Sequence, residues 1–315
     1  MLLKRSIKRI LLSCIVLIIL LVTYLMPNDE NKYNITSKIE YVSNNLITHP
    51  IFLLDSNNYL SQTNIIIKSK TKKDLAYELI EYLIIDNRLQ DKIPSGFKSF
   101  LPENTIINGI DIENDTIKID FNEALLDTKS ELEEKIIEAI VYNLTSIEGV
   151  DKVIIFINGD ILSYLPKSHK TIPSTLTREF GINKKYDITN KNNINKTTIY
   201  YVGMFNDQTY YTPITKVSNN PNDKIEIIVE ELCNNNYNLY SYLNNNTKVI
   251  NSNIENNIMT VDFNEYILND IDELDVEKEI LDTLSLSIYD NYDIDEIVFK
   301  VNGQEFSKIK EKSIE

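Results

Sequence analysis

Histidine, cysteine and clustered basic residues are scarce in this 315-residue chain. Its two cysteines are Cys14, inside an apolar run, and Cys233, in a predicted helix, and a disulfide between them is not expected. With only His49 and His169 beside them, the chain cannot gather the soft ligands of a zinc site, and neither a metal nor a cofactor is expected. Lys and Arg number 32 against 47 Asp and Glu, a formal net charge of -15, and no basic cluster occurs beyond the N-terminus. Phosphate binding needs such clusters, which argues against a nucleic-acid partner, and the acidity reads as solubility. No serine or cysteine motif that could pair with a general base stands near either histidine.

What is present describes a folded protein. Apolar residues make up 43% and charged ones 25%, too balanced for general disorder. The length exceeds that of a usual single domain, so two domains are expected.

Lys4, Arg5, Lys8 and Arg9 precede an apolar run from Ile10 to Met26, which ends at Pro27 before Asp29 and Glu30. About 17 residues at about 1.5 Å each make about 25 Å of helix, close to the lower limit for a membrane span. The basic flank places the N-terminus in the cytoplasm and the remaining chain outside. A cleaved signal would end in small residues, and Tyr24, Leu25 and Met26 are not small. A lipoprotein signal at Leu11-Leu12-Ser13-Cys14 has too short an apolar stretch before the cysteine. An uncleaved single-pass anchor is therefore the preferred reading of the three.

Self-comparison reveals a duplication. Residues 97–126 align without a gap on 239–268, identical at roughly 12 of about 30 positions, and Asp120-Phe121-Asn122-Glu123 returns as Asp262-Phe263-Asn264-Glu265. The stretch Val153 to Gly159 returns as Ile297 to Gly303. Each copy reads as an opening hairpin, a helix, a second hairpin, a long helix and a last strand. Thr71 and Asp74 form a capping box, and Ile117, Ile119 and Phe121 alternate with polar residues as in a sheet with one wet face. Leu132, Ile136, Ile140 and Leu144 share a helix face that Val276, Ile280, Leu284 and Ile288 repeat. The expected layout is 1–27 basic terminus and anchor, 28–45 juxtamembrane linker, 46–183 first domain, 184–196 linker and 197–309 second domain. The linker would let the domains move unless they share a sizeable interface.

Asp120 and Asp262 are the repeated acids, and a hydrolase would need two such groups converging in one pocket. They end strands of separate domains, so bonding a loop or capping the next helix is the preferred role, and no catalytic residue is assigned. His49 and His169 read as solvated. Phe121 and Phe263 read as core. Tyr200, Tyr201, Tyr210 and Tyr211 crowd the opening hairpin of the second copy, where alternation turns half of them outward as sheet surface or a docking patch.

The series Leu101-Pro102-Glu103-Asn104-Thr105, the strand ending Asp120-Phe121-Asn122, the helix ending Val141 to Thr145, and Gly149-Val150 before Val153 to Gly159 resembles the GerMN domain of spore germination and sporulation proteins. The second copy departs from it, with Asn244 in the place of Pro102 and residues 291–293 where the first has Glu148-Gly149. The pattern of elements and the apolar run, with the resemblance, give the expected fold: α+β, a transmembrane helix followed by two tandem GerMN-like domains with mostly antiparallel sheets. Similar proteins of bacilli look like lipoproteins, whereas this anchor reads as an uncleaved helix. The resemblance further implies a non-enzymatic scaffold in the cell membrane, its domains extracytoplasmic and its site the outer forespore membrane. There it would help assemble an envelope or channel complex between mother cell and forespore. Other envelope or sporulation channel proteins would be its partners, with self-assembly a further option. The alternative is a module that binds peptidoglycan or a small ligand, and a cell-wall hydrolase is the third reading.

Overall fold

The computed structural model describes residues 48–234, 239–270 and 274–310, together with position 17 alone in the N-terminal stretch. The anchor expected at Ile10 to Met26 and the linker at 28–45 otherwise lie outside the described residues. Among the described residues no helix is long and apolar enough to cross a membrane.

The first repeat opens with strands β1 (Thr48–Asp55) and β2 (Leu60–Ile66), followed by helix α1 (Lys72–Leu83). Thr71 caps α1 as its sequence predicts, its hydroxyl accepting from Asp74 N–H at 3.1 Å. The two-residue β3 (Phe97–Lys98) returns to β1, and β4 (Ile107–Glu113), β5 (Thr116–Phe121), β6 (Lys152–Ile157) and β7 (Asp160–Ile161) form a sheet in that order. Helix α2 (Ser130–Leu144) joins β5 to β6.

After a short β8 (Lys185–Asp187), the second repeat runs β9 (Asn195–Phe205), β10 (Gln208–Ser218), α3 (Lys224–Cys233), β11 (Val249–Glu255), β12 (Ile258–Phe263), α4 (Lys278–Asn291), β13 (Glu296–Val301) and β14 (Gln304–Lys310). The second-repeat sheet is ordered β11-β12-β13-β14. Both four-stranded sheets are mixed, because β5 with β6 and β12 with β13 pair in parallel. A helix lies between each of those pairs and returns the chain to the same end of the sheet. The other pairs in these two sheets are antiparallel.

The opening hairpins do not stay in separate domains. β2 meets β10 antiparallel with Gln62 opposite Tyr211, so both hairpins share one six-stranded sheet. β8 falls within the stretch read as a linker and pairs in parallel with β10, Lys185 opposite Lys216. The interface that would limit inter-domain motion is therefore present, and the two repeats form one compact unit.

Each long helix also closes a strand edge. On α2 the Asn143 amide accepts from Phe52 N–H and donates to Phe52 C=O, both at 2.9 Å. On α4, Ser287 Oγ accepts from Tyr200 N–H at 2.9 Å, and Asn291 bonds both backbone groups of Thr198. Side chains thus satisfy backbone groups that would otherwise template pairing with another chain.

Candidate functional site

The Asp, Phe and Asn of the repeated tetrapeptide are absorbed by structure. Asp120 Oδ1 accepts from Gly159 N–H at 3.0 Å, and Asp262 Oδ1 from Gly303 N–H at 3.0 Å. Both acceptors hold an Asn-Gly turn with left-handed backbone, φ +50° and +88° at Asn158-Gly159 and +49° and +85° at Asn302-Gly303. Phe121 and Phe263 are fully buried. Asn122 Oδ1 accepts from Ile106 N–H and its amide donates to Asn104 C=O, each at 3.0 Å, and Asn264 does the same for Lys248 and Asn246. The two aspartates pin a turn in two different sheets and do not converge.

The histidines separate. His169 is exposed and meets the Tyr164 hydroxyl. His49 is not solvated as its polar neighbours imply: it is half-buried, with Nε2 2.9 Å from Ser146 Oγ, and burial lowers its pKa to about 4. The Cys233 thiol is buried, donates to Asn244 C=O at 3.3 Å, and is pushed above its usual pKa by that burial. Among the described residues no group of three or more His, Cys, Asp or Glu is placed to hold a metal ion.

The tyrosine-rich hairpin departs from the alternation argument. Tyr200, Tyr201 and Tyr210 are all buried, and Tyr211 is half-buried. Tyr201 enters the second repeat's core, whereas Tyr200 belongs to the first repeat's core and Tyr211 packs against it. The hairpin is sandwiched between two cores, so neither face is wet.

What the sequence reading missed is the polar seam where the hairpins meet. Ser61 Oγ lies 2.7 Å from Thr212 Oγ1 and donates to Asp55 Oδ2 at 2.9 Å. Asp55, fully buried, also accepts from Asn57 N–H, Tyr59 N–H and the Tyr210 hydroxyl, whose pKa is pushed up to about 12 by burial and by that carboxylate. Asn183, with φ +48°, bonds both backbone groups of Leu60 and the carbonyl of Pro213. Its own N–H donates to Glu138 Oε2 at 2.9 Å, and burial raises the Glu138 pKa although Lys184, 3.3 Å away, opposes the rise. Further along the seam Arg178 Nη1 pairs with Asp290 Oδ1 at 2.9 Å, and Tyr142 Oη lies 3.2 Å from Asp290 Oδ2. These groups lie on six different segments, so no local sequence pattern announces them.

Two clefts flank the seam. One, of about 500 Å³, is bordered by Glu134, Phe180, Lys184 and Lys196. The other, about 510 Å³, lies between β2, the Pro94 to Phe97 stretch, β10 and the start of α4. The walls of both combine aromatic, charged and hydroxyl-bearing side chains.

Residues 50–163 and 198–307 match the family model described as "Germane: Sporulation and spore germination". The spore germination protein GerM of Bacillus subtilis (strain 168) is 29% identical over 287 residues, spanning 87% of this chain and 76% of that protein. The solved tandem GerMN domains of the sporulation protein GerM from Bacillus subtilis superpose with a TM-score of 0.74 at 27% identity, covering 82% of this chain and 92% of that one.

Proposed function

Because this chain belongs to the Germane family of sporulation and spore germination proteins, we propose that it serves sporulation as a non-enzymatic, membrane-anchored scaffold outside the cytoplasm. In that role it helps assemble an envelope or channel complex between mother cell and forespore. The observation that carries this reading is the use made of the repeated polar residues. Asp120, Asn122, Asp262 and Asn264 all hold turns and loops, so these repeated polar side chains support structure. The seam adds a second support: two repeats locked into one sheet present their surfaces at a fixed spacing, as an assembly factor requires. The basic flank and apolar run from Ile10 to Met26 supply the anchor of the proposal.

The test is a fluorescent tag on the N-terminus, followed through growth and sporulation. Signal gathering at the membrane that engulfs the forespore supports the scaffold. Uniform membrane signal unchanged by sporulation refutes it.

A further inference from the structure

The opening hairpins are related by a local two-fold axis. β2 and β10 are the second strands of equivalent hairpins and run antiparallel. The register that sets Gln62 against Tyr211 sets Ser61 against Thr212, whose hydroxyls are 2.7 Å apart on the axis. Such an axis creates two equivalent notches, one at each end of the contact, where one strand leaves the other and its outward backbone groups need a new partner.

One notch is filled by this chain. Thr215 N–H donates to Ile182 C=O at 2.9 Å, and Ile182 N–H donates to Thr215 Oγ1 at 2.9 Å. β8 then runs parallel to β10, and the Lys184 ammonium reaches Glu134 at 2.6 Å and Glu138 at 3.3 Å on α2.

The other notch has no such strand. Counting outward from the axis, Asn64 is the counterpart of Thr215, and Ile66 of Val217. Among the described residues no strand pairs with β2 beyond Gln62 on this side. Leu60 turns both backbone groups toward the seam, so by alternation Asn64 and Ile66 do too. Asn64 is exposed, and Ile66 is 49% exposed. The notch opens into the 510 Å³ cleft, whose helical wall carries Lys278, Glu279 and Asp282, the counterparts of Glu134, Lys135 and Glu138. Both helical walls carry two acids and one base, but here Lys278 takes the place of Glu134 and pairs with Asp282 at 2.5 Å, which leaves Glu279 as the acid open to a partner.

We propose that this second notch binds an extended segment of another polypeptide, added as a strand parallel to β2. The segment has an apolar residue followed two positions later by Lys or Arg, the order of Ile182 and Lys184 in the filled notch. Its backbone pairs with Asn64 and Ile66, which supplies affinity, while side-chain contacts select the sequence. Glu279 receives the basic group, because Asp282 already accepts from Lys278 at 2.5 Å and from the Tyr211 hydroxyl at 2.6 Å, and Phe97, Tyr210 and Leu286 line the apolar end. The inference rests on the scaffold reading only in taking the occupant to be a protein. Localisation tests that reading without touching the cleft, so the two can fail separately.

The probe is a fluorescein-labelled peptide with the sequence of residues 180–189, titrated against residues 46–315, the compact unit that holds both repeats, and read by anisotropy and amide hydrogen exchange. Saturable binding is expected, with protection appearing at Asn64 and Ile66. A scrambled peptide of the same composition and the variant Asn64→Pro should each bind at least about tenfold more weakly. The proline removes an N–H that faces away from β1 and leaves the β1 ladder intact. If that variant misfolds, Glu279→Lys takes its place. No saturation, equal binding of the scrambled peptide, or protection at Thr215 instead of Asn64 overturns the proposal. A concentration-dependent dimer that the peptide dissolves would assign the notch to a second copy of the chain and overturn it as well.

Discussion

Arg178 is the residue whose loss tests the seam most directly. Its guanidinium pairs with Asp290 at 2.9 Å, donates to Thr145 Oγ1 at 3.0 Å and lies 5.0 Å from the centre of the Tyr142 ring. Burial alone would lower its pKa, and the Asp290 carboxylate with Tyr200 and Tyr142 outweighs burial and raises it. Asp290 is 1% exposed in its side chain and Arg178 30%. The change Arg178→Met keeps most of the volume and strands a buried carboxylate with the Tyr142 and Tyr200 hydroxyls as its remaining support. Breaking a buried pair costs about 3–5 kcal/mol, and the part-exposed arginine lets water reach the gap, so about 3 kcal/mol is expected. For a body of this size about 2 °C per kcal/mol applies, giving a fall in Tm of about 6 °C. Adding Asp290→Asn removes the stranded charge, so the double variant should regain about 1–2 kcal/mol relative to additive costs. Urea melts of residues 46–315 followed by circular dichroism measure all four proteins. A loss below about 1 kcal/mol for Arg178→Met, or strictly additive costs, would refute the claim that this pair locks the repeats.

Three further outcomes follow from the same contacts. Phe121→Ala, in a fully buried position, should cost about 3–5 kcal/mol in a urea melt. That loss should reach both repeats in one transition, because Phe121 and Tyr200 share a core. His49, with a folded pKa near 4 against about 6.5 unfolded, contributes stability that is complete above pH 6.5 and is lost as pH falls towards 4. Its share of the fall between pH 6.5 and pH 5 is about 1.5 kcal/mol, and His49→Gln should flatten that part of the stability profile. Asn122→Ala and Asn264→Ala each remove two loop bonds and should each cost about 1–2 kcal/mol, read by thermal melts of the single and double variants.

The duplication, the order of elements and the core positions were legible because local periodicity encodes them. Ile117, Ile119 and Phe121 alternate inward and are fully buried, and Ile136, Ile140 and Leu144 share the buried face of α2. Thr71 and the Asn-Gly turns are equally local, each needing one residue type at one backbone conformation. The sheets are mostly antiparallel as expected, and the parallel pairs β5 with β6 and β12 with β13 arise where a helix between the strands returns the chain to the same end of the sheet. The tyrosines were misjudged. Alternation tells which side of a strand a residue faces and is silent on whether a second core waits there, as it does for Tyr200.

The same silence explains how a duplicated sequence folds into one body. Each opening hairpin has one edge closed by its own long helix, through Asn143 in the first repeat and Ser287 with Asn291 in the second. The opposite edge has no partner inside its own repeat, so an isolated repeat would expose β2 or β10. Pairing the two like edges about an axis joins them through the one ladder pair Gln62 and Tyr211, and polar side chains complete the contact. Asn183 supplies the missing bonds on one side, with a backbone conformation that asparagine tolerates and branched residues resist. Two equivalent edges and one connector leave an asymmetry that symmetry alone cannot remove. The connector can fill only one notch, and the notch at Asn64 and Ile66 is the place where duplication itself leaves strand-pairing capacity for another chain.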